Sequence, residues 1–197
     1  MIEFVIKLID LSQLNEGLKK LPEGHITMIL ADAENYLTVN IHTLKYLCNI
    51  RDMPGIYITV NRPYHSISKI LLENKIRIDR LFFIDCITIQ AMGEVKREDK
   101  CLFVSPGDLT DLAVSIDQWV EAIPEKDKFL FMDSLSSLLF YNSAGTLAKF
   151  SHFLTGRMRL WDLSGIFMSL EKEDDPHFLD DISQFCDEII TIKGAKE

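Results

Sequence analysis

Polar residues stand at the ends of four apolar runs, and their types are those that bind ions or move protons. Asp133 ends the run KFLFMD and precedes Ser134, while Asn61 and Arg62 follow the run GIYITV. A carboxylate in such a place either coordinates a divalent cation or caps the next helix, and an arginine binds anions. The other two positions are the segment 32–39 after the run ITMILA, and Asp85 with Cys86 at the end of LFFIDC.

Seven apolar runs rich in β-branched and aromatic residues predict the strands that carry these side chains. Most runs are continuous, not alternating, as expected when helices cover both faces of a sheet. The pattern predicts an α/β protein with three layers, α/β/α, around a mostly parallel sheet, in which ligands bind at the carboxyl ends of the strands. The predicted strands are 26–31, 55–60, 81–86, 101–104, 128–133, 164–170 and 188–192.

Two helices are predicted from apolar stripes at helical spacing. Ser105 is the expected N-cap of a helix over 106–122, with Pro106 at its first position, and a second stripe predicts a helix over 144–161. Residues 1–22 are interpreted as a helical lead-in to a single domain that spans 1–197, since a domain has roughly 150 residues.

The charge balance argues against nucleic acid as a partner. The chain has 21 Lys and Arg against 30 Asp and Glu, a net charge of −9, and its basic clusters are too small to follow a phosphate backbone. No apolar run reaches the roughly 18 residues that cross a bilayer, and the N-terminus does not match a signal peptide. We expect a cytoplasmic protein with no membrane partner.

Common catalytic and metal motifs are absent from the sequence. The four cysteines form no CxxC pair, the five histidines form no HExxH, and there is no GxSxG nucleophile elbow. Cys86 beside Asp85 is interpreted as a buried strand thiol. The acidic stretch 171–181 lacks the order of a calcium loop and is interpreted as a solvated loop.

The order of the elements resembles the KaiC branch of the RecA-like ATPases. The matching pieces are LPEGHITMIL, GIYITVNRPYHSI, the strand FLFMDSLSSLL and the tail LTGRMRLWDLSGIFMSLEKED with FCDEIITI, so the resemblance covers roughly residues 20–193. It implies a RecA-like core in which Asp133 holds the position of the Walker B aspartate, with Ser134 beside it.

The segment that should cradle phosphate departs from that pattern. A P-loop needs glycines, a lysine and a Ser or Thr that binds magnesium. The segment 32–39 has neither glycine nor lysine, and it carries Asp32, Glu34 and Asn35; by this alignment Thr38 takes the lysine position and Val39 the magnesium-ligand position. Two carboxylates would repel a triphosphate, so ATP with magnesium is disfavoured and no cofactor is expected.

A second departure concerns the catalytic base. Where the family usually has acidic residues after the second strand, this chain has Asn61 and Arg62, and neither side chain takes up a proton from water at neutral pH. We therefore expect Asp133 to cap a helix rather than to hold magnesium. Arg62 is expected to pair with Glu34 across a vestigial cleft, although it could instead bind an anion.

These departures predict a non-catalytic RecA-fold module, a pseudo-ATPase with a regulatory or scaffolding role that binds a protein partner or a like subunit. A second hypothesis is a weak nucleotide-binding protein or ATPase with a rebuilt site. A third is an accessory protein of a DNA-recombination type of assembly. The rebuilt site would use Asn35, Thr38, Asn61, Arg62 and Asp133, and the aromatic residues that could form an interface, if exposed, are Phe140, Tyr141 and Trp161.

Overall fold

The strands form one parallel sheet, as predicted. The structure is a computed structural model and describes residues 11–22, 24–93, 95, 98–171 and 177–192. Every strand lies where the apolar runs place it, with ends that differ by at most one residue. The strands are β1 (Ile26–Ala31), β2 (Gly55–Thr59), β3 (Leu81–Asp85), β4 (Cys101–Phe103), β5 (Phe129–Asp133), β6 (Ser164–Leu170) and β7 (Glu188–Ile192).

Within the described residues, the sheet has seven strands in the order β4-β3-β2-β5-β6-β1-β7, and all neighbours are parallel. β5 is the central strand, between β2 and β6, with Asp133 in register with Thr59 and Met168. Asp133 therefore ends the middle of the sheet, and Asn61 follows β2 directly beside it.

Helices cover both faces of the sheet and complete the three layers. Buried residues from α1, α2 and α3 pack on one face, and those from α5 to α8 pack on the other. The helices are α1 (Ser12–Lys20), α2 (Tyr36–Lys45), which continues as a π-helical turn (Tyr46–Ile50), α3 (Tyr64–Glu73), α4 (Thr88–Met92), α5 (Leu109–Ala122), α6 (Leu135–Leu138), α7 (Ala144–Leu160) and α8 (Phe178–Ser183).

The start of α5 is later than predicted. The Asp108 carboxylate accepts hydrogen bonds from the N–H groups of Thr110 and Asp111, so Asp108 is the N-cap and not Ser105. Ser105 instead accepts the N–H of Asp108 through its carbonyl and closes a turn that contains Pro106. Aspartate caps a helix as well as serine does, and the turn decides between the two candidates.

The structure describes only part of the lead-in 1–22 and of the acidic stretch 171–181. α1 confirms a helix in the part of the lead-in that the structure describes, with Leu14 and Leu18 fully buried, whereas residues 1–10 lie outside the described residues. The segment 172–176 of the acidic stretch also lies outside the described residues. Among the helices of the described ranges, none is long and apolar enough to span a membrane.

Candidate functional site

The Asp133 carboxylate is buried at the carboxyl end of β5 and accepts three hydrogen bonds. Its Oδ1 atom accepts the Tyr36 hydroxyl at 2.8 Å and the Asn61 amide at 2.8 Å, and its Oδ2 atom accepts the Tyr57 hydroxyl at 2.5 Å. Asp133 is 3% exposed. The donors come from α2, from β2 and from the loop after β2, so this one side chain joins three parts of the fold.

Tyr57 and Tyr36 can donate to Asp133 because β2 and α2 place their hydroxyls beside its carboxylate. Tyr57 lies on β2 opposite Phe131, on the face that α2 covers, and its hydroxyl also accepts the Asn40 amide at 3.2 Å. Tyr36 and Asn40 stand four residues apart on α2, so both face the end of the sheet. Burial and the charge of Asp133 raise the pKa of Tyr36 and Tyr57 well above the ordinary value, which keeps both hydroxyls protonated as donors.

Ser134 caps the short helix α6. Its hydroxyl accepts the N–H of Ser137 at 3.2 Å and lies 3.1 Å from the Ser136 hydroxyl. Asn61 joins this group, because its amide donates to Ser134 Oγ at 3.4 Å and its carbonyl accepts the Ser137 hydroxyl. The peptide bond between Asp133 and Ser134 is cis. Capping of a helix after β5 was predicted for Asp133, but in the structure it is the serine that caps.

A cavity of about 240 Å³ opens beside these residues. Four of the predicted site residues line it together: Asn61, Arg62, Asp133 and Ser134. Its other lining residues are Ala33, Tyr36, Leu37, Asn40, Ser136, Ser137 and Leu170. Asp32, Glu34, Asn35 and Thr38, which were predicted to belong to the same site, do not line it; Glu34 and Thr38 are exposed.

Asp32 closes the turn between β1 and α2. Its carboxylate accepts the Asn35 backbone N–H at 2.8 Å and the Asn35 side-chain amide at 2.9 Å. Asn35 is 7% exposed and directly precedes α2 as its N-cap residue. In a P-loop such backbone N–H groups point at phosphate. Here the Asp32 carboxylate accepts the hydrogen bond from the N–H of Asn35.

Arg62 does not pair with Glu34, so that prediction is wrong. Within the described ranges Arg62 has no carboxylate within 4.0 Å, and Glu34 has no ion pair there either. The backbone of Arg62 is held by Thr59, whose hydroxyl donates to the Arg62 carbonyl at 2.6 Å and accepts its N–H at 3.3 Å. The loop carries Arg62 to the rim of the cavity, while Glu34 lies on the exposed side of the 32–35 turn.

Sequence reasoning missed several residues that build the site, namely Tyr36, Asn40, Tyr57, Ser136 and Ser137. Part of the signal was present: Tyr36 and Asn40 have helical spacing directly after the first strand, and polar Tyr57 interrupts an apolar run. The partner they share, Asp133, follows only from the strand order, which sets β2 beside β5.

Asp85 stabilises two turns of the fold through hydrogen bonds to backbone N–H groups. Its buried carboxylate accepts the N–H groups of Tyr64, Ile87 and Thr88 at 2.7 to 2.8 Å and so fixes the turns after β2 and β3. Cys86 is fully buried, as predicted, and burial raises the pKa of its thiol. Over the described ranges, no cluster of three or more His, Cys, Asp or Glu side chains is arranged to hold a metal ion.

Comparison with known proteins finds one family and a structural neighbour. The model of a family of unknown function, DUF7504, matches residues 76–192, more than half of the chain, from before β3 to the end of β7. Among solved structures, the chain is similar to the KaiC-like protein PH0186 from the hyperthermophilic archaeon Pyrococcus horikoshii OT3, with a TM-score of 0.63 and 13% identity over 87% of this chain and 72% of that one. No curated protein matches the chain.

At 13% identity the likeness concerns the fold, a RecA-like three-layer α/β/α sheet. That fold was predicted from the motif order, and the comparison confirms it. The family match covers Asp133 and Ser134 but begins after β2, so Tyr36, Tyr57 and Arg62 lie outside it. The chain belongs to DUF7504, and within that family it is a protein with a RecA-like fold.

Proposed function

We propose that this chain is a RecA-fold module that does not hydrolyse nucleotides and acts by binding a protein partner or a second copy of itself. The observation that carries the proposal is the state of Asp133, the residue at the Walker B position. Its carboxylate is 3% exposed and already accepts hydrogen bonds from Tyr36, Tyr57 and Asn61.

Magnesium does not fit this environment. To coordinate the ion, Asp133 would have to release donors such as the Tyr57 hydroxyl, and Tyr57 is fully buried. A buried hydroxyl that loses its acceptor costs about 1–3 kcal/mol. Asn61 follows β2, where the KaiC-like ATPases that the sequence resembles usually have acids, and it donates to Asp133 instead of taking up a proton from water.

A triphosphate does not fit the adjoining turn either. The N–H of Asn35, of the kind that binds phosphate in a P-loop, is held by the Asp32 carboxylate. Glu34 adds a second negative charge, and the turn contains no lysine. Repulsion between these carboxylates and a triphosphate is on the order of a few kcal/mol in a partly desolvated cleft. We therefore derive no hydrolytic step at this site.

Exposed aromatic residues near the same end of the sheet support a role in protein contacts. Phe140 is 87% exposed and Tyr141 is 41% exposed, and both follow α6 after the carboxyl end of β5. Trp161, also predicted as an interface residue, is half-buried under the Arg157 guanidinium, which lies 4.4 Å from its ring centroid. Large aromatic side chains are enriched in protein interfaces.

Nucleotide binding is tested by thermal unfolding with ATP and magnesium. A ligand at 100 times its dissociation constant adds about 2.7 kcal/mol of stability, and we expect no change in melting temperature with ATP, ADP or GTP and no phosphate release. Asp133→Asn is the matched variant. A shift in the wild type that this variant abolishes, or turnover of ATP, would contradict the proposal.

The contact surface is tested by sedimentation of the chain alone and with co-purified partners. Phe140→Ser should weaken self-association or partner binding by tenfold or more, since a buried aromatic anchor contributes about 2 kcal/mol or more. Leu160→Ser is the matched control, because Leu160 is also 87% exposed but ends α7 just before β6 begins, toward the amino ends of the strands. Equal effects of the two variants, or none from Phe140→Ser, would refute a contact at Phe140.

A further inference from the structure

We propose that the cavity beside Asp133 binds a small organic carboxylate, smaller than a nucleotide, through the guanidinium of Arg62. The proposal rests on the proposed loss of nucleotide chemistry at this site, and it names what the remaining cavity can hold.

The first observation is that Arg62 stands apart from the other arginines. Of the six arginines in the described part of the chain, five lie within 4.0 Å of a carboxylate, and Arg62 does not. The five pairs are Arg51 with Asp127, Arg77 with Asp52, Arg80 with Glu125, Arg157 with Asp117 and Arg159 with Asp187. On a protein with a net charge of −9, an arginine at a cavity with no carboxylate of the described residues within 4.0 Å is an available anion-binding group.

The second observation is that Arg62 is presented by a fixed backbone. Thr59 holds both the N–H and the carbonyl of Arg62, and the N–H of Tyr64 donates to the buried Asp85 at 2.7 Å. The loop is therefore anchored on either side of Arg62, which is exposed and is one of the residues that line the cavity. A planar guanidinium in this position can donate two parallel hydrogen bonds to a carboxylate.

The third observation is the cavity wall. Ala33, Leu37 and Leu170 supply apolar surface, and Ser136 and Ser137 supply hydroxyls. Asn40 is fully buried, and its Oδ1 atom accepts no hydrogen bond from the described residues, although its amide donates to Tyr57. A buried acceptor of this kind favours a ligand that brings an O–H or N–H donor, such as a hydroxy acid or an amino acid.

The volume of the cavity and the charges that line it restrict the class of ligand further. The cavity of about 240 Å³ is smaller than the roughly 300–1,000 Å³ of pockets for drug-sized ligands. One guanidinium balances one negative charge, whereas a phosphate monoester carries nearly two. The cavity already contains one carboxylate, that of Asp133. An additional ligand charge would be repelled, so a monocarboxylate fits better than a phosphate.

The test measures binding of glycolate, acetate and inorganic phosphate by NMR to the full chain. We expect glycolate to bind most tightly, with a millimolar dissociation constant, because it has both a carboxylate and a hydroxyl donor. Arg62→Gln should weaken glycolate binding at least about tenfold, and Arg62→Lys should weaken it less. Arg51→Gln is the matched control and should leave binding unchanged, because Arg51 pairs with Asp127 and does not line the cavity.

The outcomes separate this proposal from the proposed function. Glycolate binding that Arg62→Gln leaves unchanged, tighter binding of phosphate than of glycolate, or no glycolate binding at about 100 mM would each overturn the carboxylate site. ATP turnover by the wild type would overturn the proposed function instead. Melting curves of both arginine variants check that the fold is retained.

Discussion

Asp133 is the residue on which the candidate site depends, because its carboxylate is hydrogen-bonded to three parts of the fold. Tyr57 connects it to β2, Tyr36 connects it to α2, and Asn61 connects it to the loop that carries Arg62. Hydrogen bonds to a charged acceptor inside a protein are stronger than those to a neutral one. The network therefore holds the cavity wall in one arrangement.

Replacement of Tyr57 by Phe should lower the free energy of unfolding by about 1–3 kcal/mol, because Asp133 and Asn40 would each lose a buried partner. Urea denaturation measures the change. Tyr141→Phe is the control, since Tyr141 is 41% exposed, and we expect little effect from it. If the two variants unfold at the same urea concentration, the Tyr57 hydroxyl adds no stability.

At the scale of elements, Asp187 joins α7, β1 and β7. It accepts the Ile26 N–H at 2.9 Å and two hydrogen bonds from Arg159, at 3.2 Å and 2.8 Å. Partial burial alone would raise the pKa of the Asp187 carboxyl, but the bonds from Arg159 and Ile26 outweigh it and lower the pKa below its ordinary value of 3.8. A lowered pKa in the folded state means that ionised Asp187 stabilises the fold.

That stabilisation has a definite pH window. It is complete above the pKa of the unfolded chain, near 4, and is lost as the pH falls through the lower pKa of the folded protein. Asp187→Asn should therefore cost about 1–2 kcal/mol at pH 7, and the difference from the wild type should shrink as the pH falls below about 5. Glu121→Gln, at an exposed site on α5, is the control. A difference that does not depend on pH would refute the role of this charge.

Two glycines test how tightly the elements pack. A Cβ at Gly55 in β2 would clash with the buried Phe129 ring of β5, whereas no heavy atom lies within 4 Å of a Cβ at Gly156 in α7 beyond its own helix and neighbours. Gly55→Ala should lower the free energy of unfolding by about 1–3 kcal/mol, and Gly156→Ala should raise it by about 0.5–1 kcal/mol. Thermal and urea unfolding measure both, and changes of the same sign would contradict this account.

For the whole molecule, charge sets the class of partner. With a net charge of −9 and five arginines already paired with acids, we expect no salt-sensitive shift of duplex DNA in a gel at about 50 mM salt, where basic proteins bind strongly. A basic DNA-binding protein is the positive control. A shift that weakens steeply with added salt would revive the role in a recombination assembly.

The strands and the bounds of α7 could be predicted from the sequence because burial leaves a local pattern of apolar residues. Residues 129–132 are all apolar, for example, and the polar Asp133 marks the point where that run ends. The start of α5 shows the limit: Ser105 and Asp108 are both good caps, and only the turn between them selects Asp108.

The sequence alone thus determined the order of strands and helices and the place of Asp133 at a strand end, since both depend on neighbouring residues, and its resemblance to a known family implied the RecA-like fold. Tertiary structure decided what Asp133 contacts, because Tyr57 and Tyr36 are 76 and 97 residues away and reach it only through the strand order. The tertiary structure also decided that Arg62 and Glu34 do not form an ion pair. Hydrogen bonds and ion pairs act over a few ångströms, so they depend on distances that only the folded chain sets.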